Sequence, residues 1–204
     1  CGAASGLAFN KSGNKMFVMV SKTVDAVDEY TLTTAWDVST ASFVDSFSVA
    51  TQETVPTGIA FSKSGDKMFI VGATNNNQGK VSEYTLTTAW DVSTASFVDS
   101  LNVKSCGADC GAAFGLAFSK SGTKMFILGK VGDDVNEYTL TTAWDVSSAS
   151  FVDSFSVSSQ EVNPQGIWFD SSGKTMFIVG KAGDDVNVYK LTTAWDVSTA
   201  LFTG

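Results

Sequence analysis

Gly6-Leu7-Ala8-Phe9 returns as Gly58-Ile59-Ala60-Phe61, as Gly115-Leu116-Ala117-Phe118 and as Gly166-Ile167-Trp168-Phe169, at spacings of 52, 57 and 51 residues. A second phrase, Thr-Thr-Ala-Trp-Asp-Val-Ser, returns with it and carries Trp36, Trp90, Trp144 and Trp195 at spacings of 54, 54 and 51. Self-similarity at a period of this size decides an architecture before any local assignment does. Four copies fill the 204 residues, at about 1–52, 53–109, 110–160 and 161–204, and the length fits one domain better than two.

Each copy reads as four short strands. The Gly-Leu-Ala-Phe run is the first, closed by a turn such as Lys63-Ser64-Gly65-Asp66, where glycine supplies a conformation that a β-carbon opposes. The second is Lys67-Met68-Phe69-Ile70-Val71-Gly72. The third alternates in Val135-Asn136-Glu137-Tyr138-Thr139-Leu140, with Val, Glu and Thr on one face and Asn, Tyr and Leu on the other. The fourth is Phe151-Val152-Asp153-Ser154-Phe155-Ser156-Val157. A four-stranded antiparallel unit has two apolar faces and hides them only by stacking on its neighbours about an axis. The predicted fold is therefore all-β, a β-propeller of four blades with the Gly-Leu-Ala-Phe strands nearest the axis. A β-solenoid coil is shorter and lacks three antiparallel turns per repeat.

Composition agrees with this and removes several functions. Fifteen phenylalanines, 18 glycines and only 2 prolines suit short strands joined by tight turns. Thirteen basic against 21 acidic residues leave a net charge of −8, which repels nucleic-acid phosphates and anionic lipid surfaces. No apolar run approaches the roughly 20 residues that span a bilayer as a helix. Neither nucleic acid nor membrane insertion is expected.

The phrase Phe169-Asp170-Ser171-Ser172-Gly173-Lys174-Thr175-Met176-Phe177-Ile178-Val179-Gly180 resembles the strand-turn-strand unit of YVTN and lactonase-like propeller repeats, over about half of each repeat. The Trp-Asp-Val-Ser phrase is similar in pattern to repeats in surface proteins of marine bacteria and their phages. The resemblance implies the propeller fold. It carries little about function, because unrelated functions share such folds. Lactonase-like relatives use carboxylates at the propeller top and, in some branches, histidine or calcium; no such set matches this chain residue by residue.

A finer period lies over the first. Repeats one and three open with Cys1-Gly2-Ala3-Ala4 and Cys110-Gly111-Ala112-Ala113, and repeats two and four with Gln52-Glu53 before Pro56 and Gln160-Glu161 before Pro164. The duplicated unit is a pair of blades. Ala200-Leu201-Phe202-Thr203-Gly204 stops short of the fourth strand of other repeats, so a stub or a segment of a longer array is expected. Four blades in one ring, or eight from two copies, are both open.

The sequence contains no histidine, which removes Ser-His-Asp and Cys-His catalysis and imidazole metal ligands. No catalytic residue is assigned and the chain is read as a non-enzyme. Asp133, Asp134, Asp184 and Asp185 supply the hard oxygen ligands that calcium takes, but without a spaced Asp-x-Asp-x-Asp-Gly loop, and turn capping is the stronger reading. No other cofactor is expected. Asp37, Asp91, Asp145 and Asp196 recur with the tryptophans once per blade, which favours turn closure and blade packing over ligand binding; Trp90 in particular is expected to be largely buried between blades. Trp168 replaces alanine in the first strand and is the ligand-contact candidate. Cys106 and Cys110, four apart through Gly107, are predicted to form a disulfide, which places the protein outside the cytoplasm, with Cys1 unpaired.

The sequence therefore predicts a non-catalytic, extracellular or surface-displayed module for binding or adhesion, whose partner is a carbohydrate, a protein or a copy of itself. Repeated near-identical blades multiply weak sites into avidity. The alternatives are a structural element of a surface layer, virion fibre or filament, and a lactonase-like propeller hydrolase.

Overall fold

A computed structural model describes residues 3–21, 24–73, 79–103, 112–130 and 132–204. Its sixteen strands form four antiparallel sheets, each in sequence order. The first blade is β1 (Ala3–Phe9), β2 (Lys15–Ser21), β3 (Ala26–Leu32) and β4 (Ala41–Ser48). The second is β5 (Pro56–Phe61), β6 (Lys67–Ala73), β7 (Gly79–Leu86) and β8 (Ala95–Asn102). The third is β9 (Ala113–Phe118), β10 (Lys124–Gly129), β11 (Asp134–Leu140) and β12 (Ala149–Ser156). The fourth is β13 (Pro164–Phe169), β14 (Thr175–Gly180), β15 (Val186–Leu191) and β16 (Ala200–Phe202). The architecture is a four-bladed β-propeller. β16 is short, and only Thr203 and Gly204 extend its pairing, through backbone bonds with Val188.

The inner strands β1, β5, β9 and β13 lie side by side in that order and line an axial cavity. Small residues are needed where they converge. A β-carbon on Gly58 would come within 3.1 Å of the Phe114 carbonyl oxygen of the next blade. Glycine there lets two backbones approach where any side chain would hold them apart.

The alternation in the third strand sorts its residues between two interfaces. In β11, Tyr138 and Leu140 pack with Phe69 and Val71 of the preceding blade. Val135, from the other face, packs with Met176, Ile178 and Tyr189 of the following blade. Each blade thus has a leading face toward its predecessor and a trailing face toward its successor. Three apolar clusters of this kind join blade one to two, two to three and three to four.

The Trp-Asp-Val-Ser phrase forms the corner between the third and fourth strands. Trp36, Trp90, Trp144 and Trp195 all have positive φ, between 61 and 66°. Each donates its backbone N–H to the carbonyl of the turn glycine, Gly13, Gly65, Gly122 or Gly173, at 2.8 to 2.9 Å. The following aspartate caps a single 3-10 turn. Asp91, for example, accepts the Ser93 backbone N–H at 3.1 Å and the Ser93 hydroxyl at 2.6 Å. Turn closure, expected for these aspartates, is what they do.

Trp90 does lie between blades, with its ring 5.1 Å from Phe61 of its own blade and 6.1 Å from Phe17 of the blade before. It is partly buried there, packed against the apolar cluster that joins the first two blades. The corner sits at the end of the sheet, where solvent reaches part of the side chain. Among the described residues no helix is long and apolar enough to cross a membrane.

Candidate functional site

Side chains on β2 and β3 of one blade receive the tryptophan corner of the next. Lys15 donates to Glu29 Oε1 at 2.5 Å and to the Trp90 carbonyl at 2.7 Å. Glu29 Oε2 accepts the Val92 N–H at 3.0 Å. Lys67 and Glu83 repeat this on Trp144 and Val146, and Lys124 and Glu137 repeat it on Trp195 and Val197. The buried carboxylate is thereby matched with a cation and a backbone donor, as burial of charge requires. These six side chains were not singled out from the sequence. Their signal was there, a lysine opening the second strand and a glutamate in the third, in three repeats of four.

The fourth blade departs from this pattern. Thr175 stands at the lysine position and Val188 at the glutamate position, while Lys190 lies opposite Thr175 and donates to its hydroxyl at 2.9 Å. Trp168, the ligand-contact candidate, is 60% exposed on the same trailing face, with its ring 5.4 Å from Phe177. Among the described residues no neighbouring blade covers it.

The axial cavity, about 150 Å³, draws on all four inner strands. Among the described residues its lining holds no ionisable side chain. Its hydroxyls are engaged, Ser5 donating to the Pro56 carbonyl at 2.9 Å and Thr57 to the Ala113 carbonyl at 2.6 Å. Gln165 turns its amide onto Asn163.

The calcium candidates form two adjacent pairs in different blades, Asp133 and Asp134 at the start of β11 and Asp184 and Asp185 just before β15. Asp134 is buried and accepts from Asn136 at 2.9 Å and Ser154 at 3.4 Å. Burial pushes its carboxyl above the ordinary value, against those hydrogen bonds. Asp133 is raised too, by burial first and then by the charges of Asp134 and Glu161. In the last repeat Asp184 and Asp185 are exposed, and Asp185 accepts from Asn187 at 2.8 Å. Among the described residues no group of three or more His, Cys, Asp or Glu is placed to hold a metal ion. Cys1, Cys106 and Cys110, with the expected bridge, lie outside the described residues.

The outermost strands carry a feature that strand reading alone passed over. Phe43, Phe97, Phe151 and Phe202 occupy one position in the four blades and are each 41 to 59% exposed. Each rests edge-on against a tyrosine of the adjacent strand, as Tyr30 and Phe43 do at 5.8 Å. Val44, Val98 and Val152 extend the apolar surface in three blades.

No protein-family model matches the chain, and no curated protein matches it in sequence. Solved structures do match the fold. A proposed 6-phosphogluconolactonase of Bacteroides uniformis aligns with a TM-score of 0.64 at 12% identity, covering 99% of this chain and 53% of that one. Its counterpart from Bacteroides fragilis gives 0.63 at 13%, covering 97% and 52%. The β-propeller domain of Cps50 (Swd1) from Myceliophteria thermophila gives 0.57 at 12%, covering 94% and 54%. The chain spans about half the length of each of these structures. What it shares with them is the β-propeller fold, which the repeat period and the four radial sheets establish independently.

Proposed function

We propose that this protein is a non-catalytic binding module, displayed outside the cytoplasm, that engages a protein ligand through its blade rims. The observation that carries this reading is the same exposed phenylalanine on the outer strand of every blade. One weak apolar contact repeated at fixed spacing yields avidity without any single strong site. An outer strand also offers unpaired backbone groups beside that side chain, the usual means of capturing an extended peptide. Aliphatic and phenylalanine surface suits protein better than sugar, which favours a tryptophan or tyrosine platform with polar groups around it.

The test is to probe the purified chain against a displayed random-peptide library and a glycan array, alongside a triple variant Phe43→Ser, Phe97→Ser and Phe151→Ser. Peptide binders lost in the variant support the reading. Binding confined to glycans, or unaffected by the three substitutions, overturns it.

One observation favours a second reading, lactone hydrolysis: two of the similar structures are described as proposed 6-phosphogluconolactonases. Turnover of a phosphorylated lactone above that of the heat-denatured chain would establish it. The axial cavity speaks against it, since water attack on a lactone needs a general base or a metal, and among the described residues its lining offers neither carboxylate nor lysine.

A further inference from the structure

Among the described residues, nothing covers the leading face of the first blade. Val38 is 59% exposed, while the residues at its position in the later blades, Val92, Val146 and Val197, are fully buried. Leu7 is 59% exposed where Ile59 is 8%. Trp36 holds the same backbone conformation and the same turn bond to Gly13 as its counterparts do to theirs, yet it is 60% exposed. Among the described residues no side-chain hydrogen bond reaches the Trp36 carbonyl or the Val38 N–H, the two groups that a lysine and a glutamate receive in blades two, three and four.

The trailing face of the fourth blade is exposed as well. Val179 and Val186 are 45% and 55% exposed, where Val71 and Val81 are fully buried. It does not mirror what the first blade presents. Thr175 and Val188 have removed the lysine and glutamate, Lys190 covers Thr175, and Trp168 lies over the phenylalanine that would otherwise meet the next blade. Repeat arrays are bounded by end units whose outer face departs from the repeat. The first blade shows no such departure at Phe9, Trp36 or Val38.

We infer that the leading face of the first blade is a docking surface for a further β-propeller repeat, one that carries a lysine and a glutamate side by side on its trailing face. The lysine donates to the Trp36 carbonyl and the glutamate accepts the Val38 N–H, as seen three times within the chain. The fourth blade withholds that pair, so two wild-type copies do not join head to tail. The inference shares with the proposed function only the premise that the ligand is a protein. Its test reads the end face and leaves the rim phenylalanines untouched, so either can fail alone.

A donor can be built from this chain. Trp168→Ala, Thr175→Lys, Val188→Glu and Lys190→Thr give the fourth blade residues already present in the first three, and Val38→Asp blocks the donor's own leading face. Labelled wild-type chain titrated with this donor should form a saturable one-to-one complex in sedimentation, at least about tenfold tighter than wild type forms with itself. Val38→Asp in the labelled chain should abolish it. If Trp168→Ala loosens the donor, Trp168→Val, with near-ultraviolet circular dichroism confirming its packing, takes its place. A folded donor that leaves wild type monomeric overturns the inference, as does wild-type self-association that Val38→Asp abolishes.

Discussion

Glu83 reaches from the second blade to the third and accepts the backbone N–H of Val146 at 2.9 Å, while its other oxygen holds Lys67 at 2.6 Å. One carboxylate, almost wholly buried, therefore joins a side chain of its own blade to the corner of the next. Removing it should leave a buried amide unmatched and a lysine without its counter-charge. Glu83→Ala is expected to cost about 3 kcal/mol, the low end for breaking a buried pair because Lys67 keeps some water. Glu83→Gln should cost less, since its amide oxygen still accepts. Urea unfolding of both variants checks the order, and equal losses would assign the effect to packing alone.

Trp90 and Trp36 form a matched pair, alike in local geometry and different in surroundings. Trp90→Ala should cost about 3 kcal/mol because the indole contacts Phe17 across an interface as well as Phe61. Trp36 touches Phe9 of its own blade, so Trp36→Ala should cost about 1 kcal/mol. Equal shifts in unfolding midpoint would show that the indole acts within its blade and not between blades.

The turn glycine beneath each indole is expected to tolerate no side chain. Gly65 has φ of +78°, and a β-carbon there would lie 2.1 Å from the Trp90 ring. Gly65→Ala combines a left-handed backbone penalty of about 1 kcal/mol with displacement of the indole. The variant should unfold earlier and its tryptophan emission should shift to the red. An unchanged midpoint and spectrum would contradict the turn geometry.

Asp134 should make the protein less stable as pH rises. Its ordinary value is 3.8 and burial raises it in the folded state, so the folded protein holds that proton more tightly than the unfolded chain does. Stability from this group is fully present below 3.8 and declines as pH climbs through the raised value. Asp134→Asn keeps an acceptor for Asn136 and Ser154 and removes the charge. It should melt higher than wild type at pH 7 and match it near pH 3. A variant that loses stability equally at both would show that the carboxylate is needed for its hydrogen bonds.

Much of the fold was legible because its signals are local. The Gly-Leu-Ala-Phe phrase, the glycine turn and the alternation of Val135, Glu137 and Thr139 against Asn136, Tyr138 and Leu140 each depend on residues a few positions apart, and all three describe the structure. The interblade socket was harder to see. Lys67 and Trp144 are 77 residues apart, and no pattern within one repeat pairs them. Trp168 could be recognised as unusual from its alanine counterparts, but not as a residue on an uncovered face.

The sequence by itself determined how many blades these 204 residues form, how each is stranded and which residues turn its corners, because backbone conformation and strand periodicity are set by near neighbours. Only the tertiary structure decided which copy of a repeated residue is enclosed. Val38 and Val92 follow the same Trp-Asp pair and begin the same 3-10 turn, yet one is open to solvent and the other is sealed. Burial belongs to what lies opposite a residue, and for Val92 that is Glu29 of the preceding blade, contributed by chain 63 residues away.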